Sequence, residues 1–194
     1  VGLLAKALAF VEQMSREGKQ IILVGNKKEA QKFIIDAATK LDMPYVANRW
    51  IGGTLTNFPE IRKRIARLED LMNKKETGGL DVYTKKERGV LDKEMSDLVK
   101  RFWGIAKMKR LPGAILVVDS NKEEIAILEA KKANIPIISL SGSDCDISTI
   151  NYPVIANDSA SLSIEFFLNK VVEAYRNAKV VNSPVSPNLT AVIK

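Results

Sequence analysis

The sequence contains no histidine and only one cysteine, Cys145. Because histidine is absent, a Ser-His-Asp triad, a histidine-ligated zinc site and a histidine general base are all excluded. A single cysteine excludes an intramolecular disulfide and a metal site built from several cysteines. Carboxylate or lysine chemistry remains open, so these absences disfavour an enzyme without ruling one out. We expect Cys145 to be buried or idle.

Long apolar runs are also missing. A membrane-spanning helix needs roughly 20 consecutive apolar residues, whereas the β-like runs here, such as residues 21–24, are short. Lys6 and Glu12 interrupt the first apolar residues, which is not the layout of a signal peptide. The first residue is Val1 and not Met, which leaves open a start further upstream. The 194 residues are enough for one domain with an appendage.

Basic residues are concentrated in the middle of the chain. Residues 49–110 contain 16 basic and 9 acidic side chains, residues 1–48 contain 7 and 5, and residues 111–194 contain 7 and 9. A localised positive surface favours a polyanionic partner, because binding to phosphates releases counterions. A solvated, lysine-rich helical face would give the same composition.

Strand and helix patterns alternate along most of the chain. Helices are predicted at residues 3–16, 27–41, 123–133 and 159–177, and strands at 20–24, 44–47, 114–118, 136–140 and 153–156. Asn26 is the predicted N-cap of the second helix, and Leu162 and Phe166 are expected on the apolar face of the last. This alternation predicts an α/β domain, a doubly wound parallel sheet formed by residues 1–55 and 111–178, followed by a tail at 179–194.

The pattern between residues 56 and 110 is different. Apolar residues recur there at heptad spacing in two stretches, one at Ile61, Ile65, Leu68 and Met72, the other at Leu91, Met95, Leu98, Phe102 and Ile105. A turn at residues 77–81 separates the stretches, and Thr84 with Glu87 predicts a capping box for the second helix. We therefore expect an antiparallel coiled-coil helical hairpin, inserted between the second and third strands.

Two loops carry residues that suit ligands. Lys27 and Lys28 open a helix directly after a strand, a position where backbone N–H groups bind phosphate. The P-loop and G-x-G-x-x-G patterns are both absent, so a nucleotide site is disfavoured. Asp119 ends a strand at the carboxyl edge of the sheet, and a cluster with later aspartates would suit magnesium. Such aspartates are more often turn formers and helix caps, so we predict no metal site. The later aspartates are Asp144, Asp146 and Asp158.

The densest motif is R-W-I-G-G-T-L-T-N-F at residues 49–58. Arg49 can bind phosphate as a bidentate donor and Trp50 can stack on a base. Two glycines permit close backbone approach or positive φ. The competing interpretation is a structural elbow between sheet and hairpin in which Trp50 is buried, and both interpretations can hold together.

This motif closely resembles the R-W-[LI]-G-G-x-L-T-N signature of the small-subunit ribosomal protein two family. Residues 111–137 resemble the family block L-P-x-A … D … E-x-x-A-x-x-E-A … I-P, and residues 144–164 resemble its final block. The resemblance covers about residues 1–177. Three departures are Ile147 where the family usually has proline, Ser159 where it usually has aspartate, and the lack of the family's G-x-H-x-G-H and W-N-P segment.

The resemblance implies a flavodoxin-like sheet with a projecting coiled coil and a structural, non-catalytic role. It implies a place on the solvent side of the small ribosomal subunit, on a cytoplasmic or organelle ribosome. The implied partners are ribosomal RNA and neighbouring ribosomal proteins, including small-subunit protein one, which the family helps to recruit after joining late in assembly. No cofactor is implied.

Under this interpretation the RNA is recognised by shape and charge at the elbow and the hairpin flank, without base-edge readout. The main alternative is an α/β enzyme that binds a sugar phosphate or nucleotide at Asn26, Asp119 and Asn157. A third interpretation is a DNA- or RNA-binding regulator that acts off the ribosome through the same hairpin. The predicted RNA contacts are Lys27, Lys28, Arg49, Trp50, Gly52, Gly53, Thr54, Asn57, Arg62, Lys63, Arg64, Arg67, Lys107 and Arg110.

Overall fold

The computed structural model describes residues 2–181, which fold around a five-stranded parallel sheet. The strand order is β2-β1-β3-β4-β5, the order of flavodoxin-like proteins. The predicted α/β class and the parallel sheet are therefore confirmed. The strands are β1 (Ile21–Val24), β2 (Tyr45–Val46), β3 (Ala114–Val118), β4 (Ile137–Ser141) and β5 (Tyr152–Ile155).

Six α-helices accompany the strands within residues 2–181: α1 (Gly2–Arg16), α2 (Lys28–Leu41), α3 (Phe58–Glu76), α4 (Lys85–Phe102), α5 (Glu124–Lys132) and α6 (Ser161–Val181). Each predicted strand and helix has a counterpart, with ends shifted by a few residues. The largest shift is in α6, which continues beyond residue 178 into the stretch predicted as tail. The rest of that predicted tail, residues 182–194, lies outside the described residues.

Both faces of the sheet are covered, which explains the unbroken apolar sequences of β1 and β3. On one face, α1, α2 and α6 bury Leu23 and Leu116. On the other, α5 shares a buried cluster with Ile22 and Ile115. That second cluster also contains Ile61 and Ile65 near the start of α3, Phe102 at the end of α4, and Ile105 and Met108 in the segment that follows α4.

The attachment of α4 to the sheet depends on a glycine. A 3-10 turn at Trp103–Ile105 follows α4, and Gly104 in this turn lies against β2. A Cβ atom at Gly104 would collide with the backbone carbonyl oxygen of Tyr45. Only a residue without a side chain therefore permits this close approach.

Residues 77–84 join α3 to α4, and α4 begins with the predicted capping box of Thr84 and Glu87. The predicted apolar seam of α3 is wrong at its far end, because Leu71 is buried there and Met72 is only partly buried. On α4, Leu91, Met95 and Leu98 are half-buried. At the end far from the sheet, α3 and α4 are covered mainly by each other, so their apolar side chains are incompletely buried.

Two local predictions are wrong. The residue that precedes α2 is Lys27 and no side chain caps that helix, while the backbone N–H of Asn26 donates to Glu123. On α6, Leu162 and Phe166 are exposed. The buried stripe of α6 follows a different helical phase, through Ile164, Phe167, Leu168, Val171 and Tyr175.

Candidate nucleic-acid interface

The elbow between β2 and α3 is folded around one carboxylate, that of Glu129 on α5. Glu129 Oε1 accepts the backbone N–H of Gly53 at 2.7 Å and the indole N–H of Trp50 at 3.2 Å. Its Oε2 accepts the backbone N–H groups of Leu55 at 2.9 Å and of Thr56 at 3.3 Å. One buried side chain thus joins two of the sequence blocks that carry the family resemblance.

The elbow keeps Glu129 charged. The residue is only 7% exposed, and burial by itself would raise its pKa. The hydrogen bonds from the elbow N–H groups outweigh burial and hold the pKa of Glu129 below its usual value. Glu129 is therefore ionised at neutral pH and serves as an internal anion for this backbone turn.

Gly53 and Thr54 give the elbow its shape. Gly53 has a φ of +92°, a backbone conformation that residues other than glycine rarely adopt. The hydroxyl of buried Thr54 donates to the carbonyl oxygen of Ile51 at 2.6 Å. Of the predicted contacts in this motif, Arg49, Gly52 and Asn57 are the exposed ones.

Trp50 is a core residue. It is 5% exposed and belongs to the same buried cluster as Leu55 and Ile61. Its indole N–H is already bonded to Glu129. The structure therefore supports the interpretation in which Trp50 is the buried tryptophan of a structural elbow. The ring has no exposed face on which a base could stack.

Two of the predicted RNA-binding arginines are engaged within the protein. Arg62 Nη1 donates to the carbonyl oxygens of Ala106 at 3.1 Å and Met108 at 3.4 Å, which holds α3 to the segment after α4. Arg67 makes a two-pronged pair with Glu94, with both N···O distances 3.0 Å, which links α3 to α4. Geometry of this kind is the stronger form of ion pair.

The remaining predicted cations are exposed, except Lys27. Lys63 pairs with Glu60 at 2.6 Å and Lys107 pairs with Asp42 at 2.8 Å. Exposed pairs of this kind contribute little to stability because solvent screens them, so either amine can exchange its carboxylate for a phosphate at little cost. Within residues 2–181, no hydrogen bond or ion pair engages the side chains of Lys28, Arg49, Arg64 and Arg110.

Lys27 occupies the carboxyl edge of the sheet. Its ammonium lies 2.8 Å from Asp119 Oδ2 and 2.9 Å from Asp158 Oδ1, and it donates to the Ser159 hydroxyl at 2.9 Å. The side chain is only 10% exposed. Burial would lower the pKa of Lys27, but the two carboxylates raise it above its ordinary value. A phosphate could reach Lys27 only by displacing these internal partners.

This network closes the place where flavodoxin-like proteins bind ligands, the edge at which the strand order reverses. Lys27 follows β1, Asp119 follows β3 and Asp158 follows β5, so one ammonium ties three loops together. Asn157, a proposed ligand residue of the enzyme alternative, instead accepts the N–H groups of Ser159 and Ala160 at the start of α6.

A buried carboxyl, Glu123, lies beside the same network. It is 3% exposed and accepts the backbone N–H of Asn26 at 2.9 Å. Burial raises the pKa of Glu123 to about 6, and the nearby charge of Asp119 acts in the same direction. This carboxyl therefore titrates closer to neutral pH than an ordinary glutamate.

The acidic residues considered for magnesium are only partly brought together. Asp119 and Asp158 approach each other and Cys145, with one ligand atom of each within 4.8 Å of the others. The ammonium of Lys27 already supplies the positive charge between the two carboxylates. Asp146 instead accepts the backbone N–H of Ser148, as a turn former does.

Two residues of this region were missed by sequence reasoning. Glu129 lies in a helix and looks like a surface carboxylate, and its partners are more than 70 positions away. Trp103 is 52% exposed, unlike Trp50. A signal for Trp103 exists, because it stands one position after Phe102, a residue of the predicted apolar seam, and so on a different side of the helix.

The strand order defines a flavodoxin-like α/β protein. Side chains of the protein itself close the carboxyl edge of its sheet, and a basic segment lies between its second and third strands. The chain belongs to the ribosomal protein S2 family, whose model matches residues 1–178. The family consists of structural proteins and not enzymes, in agreement with the sequence-based prediction.

Curated relatives show the same similarity. The small ribosomal subunit protein uS2 of Mycobacteroides abscessus is 44% identical over 167 residues, which cover 86% of this chain and 60% of the relative. The protein of the same name from Sulfurimonas denitrificans is 42% identical over 174 residues, or 90% of this chain and 67% of the relative. The chain thus spans about three fifths of the length of the first of these relatives. Within residues 2–181, no helix has both the length and the apolar character to cross a membrane.

Proposed function

We propose that this chain is a structural constituent of the small ribosomal subunit that binds ribosomal RNA and neighbouring ribosomal proteins. In this proposal it acts on a cytoplasmic or organelle ribosome, joins late in assembly, and helps to recruit small-subunit protein one. Membership of the ribosomal protein S2 family supports the ribosomal role.

The observation that carries the RNA-binding part is the distribution of charge. Residues 49–110 have 16 basic and 9 acidic side chains, whereas the rest of the chain has equal numbers, 14 of each. Among residues 2–181, the exposed basic residues of this segment that make no hydrogen bond or ion pair include Arg49, Arg64 and Arg110. A guanidinium in this state can bind phosphate without first breaking a bond.

The contacts predicted from sequence are accordingly assigned two roles. Lys28, Arg49, Gly52, Asn57, Lys63, Arg64, Lys107 and Arg110 are proposed to face the RNA. Lys27, Trp50, Gly53, Thr54, Arg62 and Arg67 are proposed to hold the surface in shape, since each is buried or bonded inside the protein.

We also propose that α3 and α4 form a coiled-coil hairpin, residues 56–110, inserted in a sheet domain of residues 1–55 and 111–178. The pair between Arg67 and Glu94 and the 2.8 Å pair between Lys75 and Asp92 support this arrangement. Exchanging the charges, Arg67→Glu with Glu94→Arg, should restore the thermal stability that either substitution alone removes. Failure to restore it would argue against this pairing of the helices.

Sedimentation of cell extracts tests the function. We expect the protein to migrate with the small subunit, and Arg64→Glu with Arg110→Glu to shift it to the free fraction. The matched control is Lys6→Glu with Lys32→Glu, two exposed lysines on the helices of the other sheet face. If the wild-type protein remained free, the ribosomal role would be wrong, and equal behaviour of both double variants would refute the charged interface.

A further inference from the structure

Trp103 is an exposed aromatic ring on a positively charged stretch of chain. Between residues 98 and 118 there are five basic residues and no acidic one. Trp103 lies in the middle of this stretch, at the start of the 3-10 turn after α4, and it is 52% exposed. Single exposed apolar side chains are common on protein surfaces, but an indole at this level of exposure within a basic stretch is accessible to a partner that carries both rings and phosphates.

The surroundings of the ring define a groove. Its volume is about 650 Å³, and Trp103 lines it together with Met72, Lys107 and Lys109. Two carboxylates, Glu69 and Glu76, also line it. On another side, Trp103 borders a smaller recess of about 170 Å³ with Lys100 and Arg101. Cationic side chains thus lie on both sides of the indole.

The turn holds the backbone at Trp103 in a fixed position. Gly104 is pressed against the backbone of Tyr45, and Ile105 is 2% exposed in the core. Arg62 bonds to the carbonyl oxygens of Ala106 and Met108, directly after the turn. The backbone on the C-terminal side of Trp103 is therefore anchored to the sheet, which lowers the entropy cost of using its side chain for binding.

We propose that Trp103 is a stacking platform for an unpaired base of the RNA, with Lys107 and Lys109 binding the phosphates on either side of that base. The inference rests on the proposed RNA-binding function and adds a mode of recognition to it. An aromatic face flanked by cations is the arrangement that proteins use for single-stranded RNA. Trp50, the other tryptophan, is buried and cannot take this role.

The charge of the segment favours RNA over a protein partner. A protein neighbour could also cover a tryptophan beside arginine and lysine. However, the five cations of residues 98–118 include Lys109 and Arg110, which make no ion pair within the described part of the chain. A protein would have to supply several carboxylates to match them, whereas one strand of RNA supplies a phosphate with every nucleotide.

Affinity measurements test the proposal. The probe is small subunits freed of this protein by salt washing, titrated with the full chain at several salt concentrations. Trp103→Ala should weaken binding about 5- to 100-fold, Trp103→Leu should weaken it similarly, and Trp103→Tyr should retain most of the affinity. None should change the salt slope, whereas Lys109→Gln should lower it by about 0.7–0.9. The matched control is Phe166→Ala, an aromatic residue on α6 that is 58% exposed.

The outcomes separate this inference from the proposed function. If Trp103→Ala binds like the wild type while Arg64→Glu with Arg110→Glu is weakened, the stacking site is wrong and the RNA-binding function stands. If neither variant is weakened, both are wrong. Ultraviolet cross-linking of assembled subunits identifies the partner, because trypsin releases Trp103 in the peptide of residues 102–107. A nucleotide adduct on this peptide supports the proposal, and a cross-link to a ribosomal protein overturns it.

Discussion

Glu129 Oε1 accepts the backbone N–H of Gly53 at 2.7 Å, across 76 positions of sequence. This bond fixes the start of α3 relative to α5, because Glu129 lies within α5 and Gly53 is the residue of the elbow with positive φ. A buried carboxylate that satisfies several backbone donors acts as the central ligand of a loop. The path of the chain from the sheet to the basic segment therefore depends on this side chain.

Glu129→Gln tests that dependence. The amide retains the size of the carboxylate but replaces one acceptor oxygen with an NH2 group facing N–H donors. We expect a loss of about 2–3 kcal/mol in the free energy of unfolding, since hydrogen bonds to a charged acceptor are lost. Urea unfolding measures it. Glu124→Gln, on the exposed side of the same helix, should change stability by less than about 0.5 kcal/mol. Equal effects of the two substitutions would mean that Glu129 does not hold the elbow.

The sheet could be predicted from the sequence because its signals are local. The predicted bounds of β3, residues 114–118, agree with the structure. Five consecutive apolar residues between Gly113 and Asp119 indicate a short buried strand. Capping by Thr84 and Glu87 was likewise predictable from a four-residue pattern. Such features depend on neighbours in sequence, and tertiary packing only reinforces them.

The site was less predictable because its features are long-range. The sequence does not show which of Trp50 and Trp103 is buried. In the structure Trp50 is buried and Trp103 is exposed, so the tryptophan available for stacking is not the one predicted from the motif. The ammonium of Lys27 is bound by residues 92 and 131 positions away, so in sequence it looks like its exposed neighbour Lys28. Burial and pairing of charged residues are decided by the three-dimensional arrangement of loops, which no short pattern encodes.

Stability should depend on pH through Glu123. Because burial raises its folded pKa from 4.5 to about 6, its contribution to stability is fully present below about pH 4.5. That contribution is lost as the pH rises through about 6, when the buried carboxyl ionises. Glu123→Gln removes this titration and should gain about 2 kcal/mol relative to the wild type between pH 4.5 and about pH 7.5. Urea unfolding across this range measures the difference, and a difference independent of pH would contradict the assignment.

Lys27 and Lys28 should differ sharply in spite of being adjacent. Lys27→Met leaves Asp119 and Asp158 buried without their cation, which should cost about 3–5 kcal/mol of stability. Lys28→Met removes an exposed ammonium and should stay within about 0.5 kcal/mol of the wild type. Thermal unfolding compares them. In RNA titrations, Lys28→Met should lower the salt slope and folded Lys27→Met should not, and the reverse result would support Lys27 as the phosphate ligand.

Two glycines of the basic segment should respond oppositely to alanine. At Gly104 an added Cβ meets the backbone of Tyr45, so Gly104→Ala must push the turn away from β2 and should cost about 1–3 kcal/mol. At Gly89, within α4, an added Cβ meets nothing within 4 Å. Gly89→Ala should therefore stabilise the protein by about 0.5–1 kcal/mol through helix propensity. Thermal unfolding of both variants measures the contrast. If Gly104→Ala were as stable as the wild type, α4 would not rest on β2 through this contact, and the turn would not hold Trp103 in place.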